Sequence, residues 1–588
     1  MYFRADFPCG LSSQPHYFTP LPLWLILAVK EMIQIINFAL MKIALAQLNY
    51  HTGNFEHNTS KILAEIEKAE KANAEIVVFA ELALCGYPPR DFLEFDDFID
   101  RCEAELERIA RSCTKIACII GAPARNESYG GKNLFNSAYF IADGKVQSVH
   151  HKALLPTYDV FDEYRYFEPG SEFQIVEFQG KRIALTICED LWNVVPPGLE
   201  NELQTLYRNS PMDSLIKQNP DFMINIAASP FSWDRSGIRM QVLAENCKKY
   251  NLPLFYVNHI GAQTELIFDG GSVVFNKKGE LVCRAAKFEE ELLIHDSNNL
   301  SPNTPTAEDE IELIHKGLVL GIRDYFKKSG FKSAVLGLSG GIDSAVTYVL
   351  AQQALGVENV HGILMPSEFS SQHSIDDSIK LAKNTGGKYD IIPIKDTYQT
   401  LLKTMAPSFG DLSFGLAEEN LQARCRGIIV MALSNKFGHI LLNTSNKSEN
   451  AVGYSTMYGD MCGGLGVIGD VYKNQVYALA RMMNSNGEVV PENIITKAPS
   501  AELRPDQKDS DSLPDYDVLD PILYQFIERR KGPNEIIERG YDAATVNKIL
   551  NLVNRSEFKR FQTPPILRVS SKAFGMGRRM PIVAKYTL

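Results

Sequence analysis

The chain has 588 residues, 45% of them hydrophobic and 22% charged, and a formal net charge of −11. At ~150 residues per domain that is a folded protein of two to four domains, not a disordered chain. The acidic balance argues against nucleic-acid or membrane-surface binding, which needs a basic footprint, and leaves room for a local pocket that takes a phosphorylated small molecule.

Ten cysteines without a CxxC pair exclude a zinc ribbon and read as reduced thiols of a cytoplasmic protein. Residues 1–40 stand apart. Leu21–Val29 is apolar but far short of the ~20 residues that cross a bilayer, and neither a basic n-region nor a small-residue cleavage site flanks it. We read 1–40 as an extension outside any domain, a non-native or misassigned upstream start rather than an anchor. Met41 then opens a buried first strand.

From there the apolar runs Lys42–Gln47, Glu75–Phe79, Lys115–Gly121, Arg182–Ile187, Asp221–Ile226 and Leu254–Asn258 predict strands. Asn58–Ala74 and Arg239–Asn251 predict amphipathic helices, and Ala142-Asp143-Gly144 and Asn276–Gly279 predict hairpins. The polar, proline-containing stretch Ser297–Glu310 reads as a linker, giving domains over 41–295 and 311–588 joined by 296–310. Beyond it come a helix (Ile311–Ser329), a strand (Ser333–Leu338), a glycine turn, a helix (Ser344–Gln353), and apolar runs at Val360–Leu364, Tyr389–Ile392 and His439–Leu442. That alternation predicts a doubly wound parallel sheet.

The glycine turn is Ser339-Gly340-Gly341-Ile342-Asp343-Ser344. Glycines let backbone amides approach an anion, the helix N-terminus adds partial positive charge, and two serines add hydroxyl donors. It is not the GxxxxGK[ST] loop of kinase-type NTPases. SGGxDS resembles the pyrophosphate loop of the ATP-pyrophosphatase family, which adenylates substrates. Glu418–Arg426 (EENLQARCR), Asn443–Glu449 (NTSNKSE), Tyr458-Gly459-Asp460, Asp470, Lys473, Pro499–Gln507, Leu513–Asp520 and Glu557–Arg560 resemble the NAD synthetases within it. The resemblance implies ATP contacts at Gly337, Leu338, Ser339, Gly340, Gly341, Ile342, Asp343, Ser344 and Thr444. It implies Mg²⁺ on Asp343 and Glu449, and deamido-NAD⁺ contacts at Asn420, Glu449, Asp460, Lys473 and Lys559. The charged run Asp506–Asp511 reads as a loop closing over ATP.

Such an enzyme needs a nitrogen source. In the first half Glu81, Lys152 and Cys188 each stand at the end of a predicted strand, and a thiol needs a base and an oxyanion partner to act as nucleophile. Their order resembles the nitrilase superfamily and implies an α-β-β-α sandwich. It makes Glu81 the general base, Lys152 the oxyanion stabiliser, Cys188 the nucleophile and Glu163 the glutamate that orients the lysine. Taken whole, the chain resembles the glutamine-dependent NAD synthetases. That likeness implies glutamine contacts at Tyr158, Phe161, Ser229 and Arg235, channelled ammonia, and a homo-oligomer. His259 reads as a structural histidine beside the pocket. The rival readings are an ammonia-only synthetase with a degenerate first half, against which the intact triad argues, and an amidase with a vestigial second half, against which the intact SGGIDS and NKSE segments argue.

Overall fold

The structure, a computed structural model, describes residues 41–584 apart from 129, 201, 305–307, 505, 506 and 508. The reading of 1–40 as an extension lies outside the described residues.

The first half is built on two six-stranded sheets. One runs β14-β1-β2-β3-β4-β5 and the other β13-β12-β9-β8-β7-β6. Their strands are β1 (Lys42–Gln47), β2 (Ile76–Val78), β3 (Ala117–Arg125), β4 (Leu134–Ala142), β5 (Lys145–His151), β6 (Val176–Phe178), β7 (Lys181–Ile187), β8 (Phe222–Ala227), β9 (Leu254–Asn258), β12 (Val273–Phe275), β13 (Leu281–Arg284) and β14 (Glu291–Asp296). A small hairpin, β10 (Ile260–Gln263) with β11 (Leu266–Asp269), stands between β9 and β12 in sequence. Alternation along β1 explains the layering. Ile43 and Leu45 pack with Leu185, Ile224 and Phe255 between the sheets. Ala44 and Ala46 face the layer of α1 (Phe55–Lys71) and α2 (Asp96–Ser112). Helix α3 (Ser236–Tyr250) covers the second sheet through Leu243 and Cys247. The result is the α-β-β-α sandwich. The β4–β5 hairpin turns on Asp143 and Gly144, both with positive φ, as a tight two-residue turn requires.

The second half holds a parallel sheet of order β17-β16-β15-β18-β19, from β15 (Ala334–Gly337), β16 (Val360–Leu364), β17 (Lys388–Ile391), β18 (Ile440–Asn443) and β19 (Leu465–Gly466). The chain enters it through α4 (Glu310–Ser329), capped by the Asp309 carboxylate. Strand β15 leads into α5 (Ile342–Leu355). Because β15 sits mid-sheet with later strands on both sides, the carboxyl ends of β15 and β18 flank a topological switch point, where open α/β sheets bind ligands.

The halves share one core. Phe231, Ile260, Ala262 and Ile267 pack with Leu318, Ile322, Leu567 and Val569. Lys328 Nζ donates to Asn49 Oδ1 and to the Tyr50 and Ala262 carbonyls, which pins α4 across the first half. Among the described residues no helix is long and apolar enough to cross a membrane.

Candidate active sites

The first site collects at the carboxyl ends of β2, β5 and β7. Lys152 is fully buried, and its Nζ donates to Glu81 Oε1 at 2.7 Å and to Glu163 Oε2 at 2.7 Å. Burial alone would depress this ammonium, but Glu163 and Glu81 outweigh it and hold the Lys152 pKa well above the lysine range. Tyr87 and Asn136 donate to Glu163 and Glu81 respectively, and the Ala228 amide donates to Glu81 Oε2. Each carboxylate is therefore oriented as well as neutralised. Cys188 follows β7 with φ +42°, a left-handed backbone that costs energy and turns its thiol out of the sheet. The Asp190 carboxylate fixes that bend by accepting from the Ile187, Ala153 and Leu154 amides, which locks the cysteine and lysine segments together. Burial pushes the Cys188 thiol up, and the negative charge of Glu81 adds to this, so the resting sulfur is protonated and needs a base.

Beside Cys188 opens a pocket enclosing about 940 Å³, its mouth included. Tyr158, Phe161, Ser229 and Arg235 all line it, and Ser229 Oγ lies 3.7 Å from Cys188 Sγ. His259 lies behind the wall. Its Nε2 meets the Glu81 carbonyl oxygen at 2.6 Å, and burial lowers its pKa to about 4. Being neutral and held on backbone, it orients the Glu81 loop. Two features escaped the sequence reading. One is Glu189, a buried carboxylate that accepts from the Tyr158 and Tyr207 hydroxyls, with its pKa raised to about 7 by burial. The other is the far wall, which comes from the second half as Glu528, Arg568, Ser571 and Lys572. Adjacency to Cys188 could have flagged Glu189; nothing local could have flagged the wall.

The second site is a cleft of about 1750 Å³, open to solvent, at the switch point. Gly337, Leu338, Ser339, Gly341, Ile342, Asp343, Ser344 and Thr444 line it. Gly340 does not. It makes the turn itself, with φ +78° and a Cβ position only 2.4 Å from the Ser374 carbonyl, so only glycine fits there. Gly340→Ala is expected to raise the KM for ATP at least ~10-fold through loop displacement, checked by ATP titration of the synthetic reaction, while basal glutamate release in the absence of nucleotide is unchanged. Ser344 Oγ donates to the Gly341 carbonyl and meets Ser339 Oγ at 3.3 Å, which holds the loop closed.

Opposite the loop, Asn446 caps the turn carrying Glu449, and its Nδ2 donates to Asp343 Oδ1 at 2.9 Å. Lys473 Nζ sits between Asp343 (2.5 Å) and Glu449 (3.3 Å). Burial and the Asp343 charge raise the Glu449 pKa. Among the described residues no cluster of three or more potential protein metal ligands occurs. Mg²⁺, however, is commonly held by one or two carboxylates plus substrate phosphates, and two converging carboxylates that already hold a cationic group fit that donor set. Glu449, Asp460 and Lys473 line the cleft. Asn420 and Lys559 sit at its flank: Asn420 Oδ1 accepts from Thr456 Oγ1, and Lys559 Nζ donates to the Gly453 and Ser455 carbonyls. Asp509, from the predicted closing loop, also lines the cleft; residues 506 and 508 of that loop lie outside the described residues.

Comparison with known proteins joins the two sites. A carbon-nitrogen hydrolase family model matches residues 42–196, and an NAD synthase model matches 314–563. A glutamine-dependent NAD(+) synthetase of Synechocystis sp. is 45% identical over 558 residues, covering 92% of this chain and 99% of that one. This chain belongs to the glutamine-dependent NAD(+) synthetases. The structure of such a synthetase from Acinetobacter baumannii, in complex with ADP, is 38% identical with a TM-score of 0.73 over 92% of this chain and 98% of that one. A Cytophaga hutchinsonii synthetase, at 22% identity, shares the fold with a TM-score of 0.78 over 93% of this chain. Membership makes the chain a ligase with a nitrilase-type half and a synthetase half in one polypeptide.

Proposed function

We propose that this synthetase hydrolyses glutamine at Cys188 and uses the ammonia in its second half to amidate deamido-NAD⁺ at the expense of ATP. The observation that carries the first step is Lys152, fully buried between two carboxylates at the strand end next to Cys188. Glu81 takes the thiol proton as Cys188 Sγ bonds to the carboxamide carbon of glutamine, and Lys152 stabilises the oxyanion. The C–N bond then breaks, ammonia leaves with the proton returned through Glu81, and water releases glutamate from the thioester. Tyr158, Phe161, Ser229 and Arg235 hold the substrate, and Glu189 receives its α-ammonium group.

In the cleft the Ser339–Ser344 loop and Thr444 hold ATP. Asp343 and Glu449 would hold Mg²⁺, which neutralises phosphate charge when bound. Adenylation of the deamido-NAD⁺ carboxylate releases pyrophosphate, and ammonia then displaces AMP. Glu449, Asp460 and Lys473 contact deamido-NAD⁺ directly, while Asn420 and Lys559 shape the flanking 453–460 loop. Leu412, Phe414, Leu416 and Tyr458 are exposed; exposed apolar side chains of this size suit an interaction site, and a second copy of the chain is the occupant we assign. The reading places the enzyme in the cytoplasm. NAD⁺ formation from deamido-NAD⁺, ATP and Mg²⁺, with glutamine or ammonium as donor, tests the whole reading; no product from either donor refutes it.

The Glu189 assignment predicts a pH dependence. The charged form that binds an ammonium is lost as pH falls through about 7, so the KM for glutamine should rise below neutrality. Glu189→Gln should raise KM at pH 8 at least ~10-fold and flatten the profile, because a desolvated charge pair is worth several-fold in affinity. An unchanged profile in that variant would remove Glu189 from substrate recognition.

A further inference from the structure

The one-turn bend Cys188–Leu191 carries Glu189 to the pocket, and Trp192 lines it next. From there to Ser210 the described residues form a strap without helix or strand, ahead of the short helix Pro211–Leu215. Residues 202–209 are exposed except Leu203 and Tyr207, which are half-buried. Tyr207 turns inward. Its hydroxyl donates to Glu189 Oε1 at 3.0 Å, beside the Tyr158 hydroxyl, which lies 3.0 Å from both carboxylate oxygens. Asn193 fixes where the ring enters. Its Oδ1 accepts from the Tyr207 amide at 3.2 Å, and its Nδ2 donates to the Tyr207 carbonyl at 3.0 Å.

Packing gives little reason for this arrangement. Ordering an exposed segment costs conformational entropy, and one half-buried ring offsets little of it, with Leu206 beside it left in solvent. What the strap delivers is a hydrogen-bond donor. Burial and the charge of Glu163 oppose ionisation of Glu189, whereas Lys152 and the two phenols favour it. Lys152 donates to Glu81 and Glu163. On the helices packed nearby, Arg239 is committed to Asp269, and Asp213 to Lys249 and Tyr250; the adjoining Cys188 thiol is protonated. The phenols are thus the groups that touch the carboxylate, and bonds to an ionised acceptor are the strong ones. Each oxygen of an ionised carboxylate offers two acceptor positions. Tyr158 and Tyr207 fill those of Oε1, and Oε2 keeps one for a cation in the pocket.

We propose that Tyr207, carried in on the strap and pinned by Asn193, is a positioning residue that sets substrate specificity: it holds Glu189 as the acceptor for an α-ammonium group, so that the pocket selects free α-amino acid amides over amides of the same length that lack the ammonium. The proposal rests on the reading that Glu189 receives the α-ammonium of glutamine. Because the Tyr207 hydroxyl supports the charged carboxylate, its removal lets Glu189 take up a proton above the wild-type value of about 7. The rise in KM for glutamine on acidification then begins at higher pH.

The test measures ammonia release by the full chain from glutamine and from glutaramate, which is glutamine with hydrogen in place of the α-ammonium, for the wild type, Tyr207→Phe, Asn193→Ala and Glu189→Gln. The readout is the ratio of kcat/KM for the two amides, in which a general loss at the thiol cancels. Tyr207→Phe should raise the KM for glutamine at least ~5-fold with kcat within ~2-fold, leave glutaramate hydrolysis within ~2-fold, and so narrow the discrimination at least ~5-fold. The acid limb of its KM profile should move to higher pH. Asn193→Ala, which frees the strap and keeps the phenol, should shift both readouts the same way and decides the matter if Tyr207→Phe does not fold. Variants that keep the wild-type ratio and acid limb, or that weaken both amides equally, overturn the proposal if Glu189→Gln has lost the discrimination. A Glu189→Gln enzyme that still discriminates as the wild type does refutes the Glu189 reading itself, and this proposal with it.

Discussion

Cys188→Ala is expected to lower NAD⁺ formation from glutamine by at least ~10³-fold while formation from ammonium stays within ~2-fold of the wild type. The asymmetry follows from where the residue lies. Cys188 closes β7, in the pocket that holds Tyr158 and Glu189, and takes no part in the cleft around Asp343. The substitution removes one sulfur and leaves untouched the Lys152 network that orders the site. Steady-state rates with each donor, alongside a thermal melt, make the check. Equal rates with glutamine for both proteins would take the thiol out of the chemistry.

The mirror experiment is Asp343→Asn. It is expected to lower NAD⁺ formation from both donors by at least ~10²-fold, because a preorganised charge at a site of phosphate transfer is worth several kcal/mol in the transition state. Basal glutamate release in the absence of nucleotide should persist. Asparagine keeps the shape and still accepts from Asn446, so the fold is not at stake; what is lost is the charge now balanced by Lys473. A companion reading is Mn²⁺ affinity, which should fall in the same variant. Full synthetic activity in Asp343→Asn would move the metal elsewhere in the cleft.

Much of the architecture was readable in advance because it rests on long apolar runs. Strands β1, β9 and β16 fall where Lys42–Gln47, Leu254–Asn258 and Val360–Leu364 were drawn. Helix starts are less legible, since α1, capped by Asn54, begins at Phe55, three residues ahead of the predicted Asn58 boundary. Strand β14 went unseen for a physical reason: it is an edge strand, half-buried along its whole length, and Glu291–Asp296 carries no clean alternation. That Glu81, Lys152 and Cys188 come together was legible because each follows the carboxyl end of a strand. The far wall of the pocket beside Cys188 was not, because Glu528 and Arg568 come to it across more than three hundred residues of chain. Lys559 and Asn420 show a related limit: a motif names a side chain but not the internal partners it also holds, here the Gly453 and Ser455 carbonyls and the Thr456 hydroxyl.

The mixed core around Phe231, Ile267, Leu318 and Leu567 bears on how such a chain can change over time. A gene break near residue 303 would leave each product with a greasy scar where its partner had been, and truncating a single buried leucine there costs ~2–5 kcal/mol. Neither half can be traded for a foreign counterpart without repainting that scar. An exchange on one face of that core is therefore expected to require a matching change on the face opposite, so the two halves are constrained together.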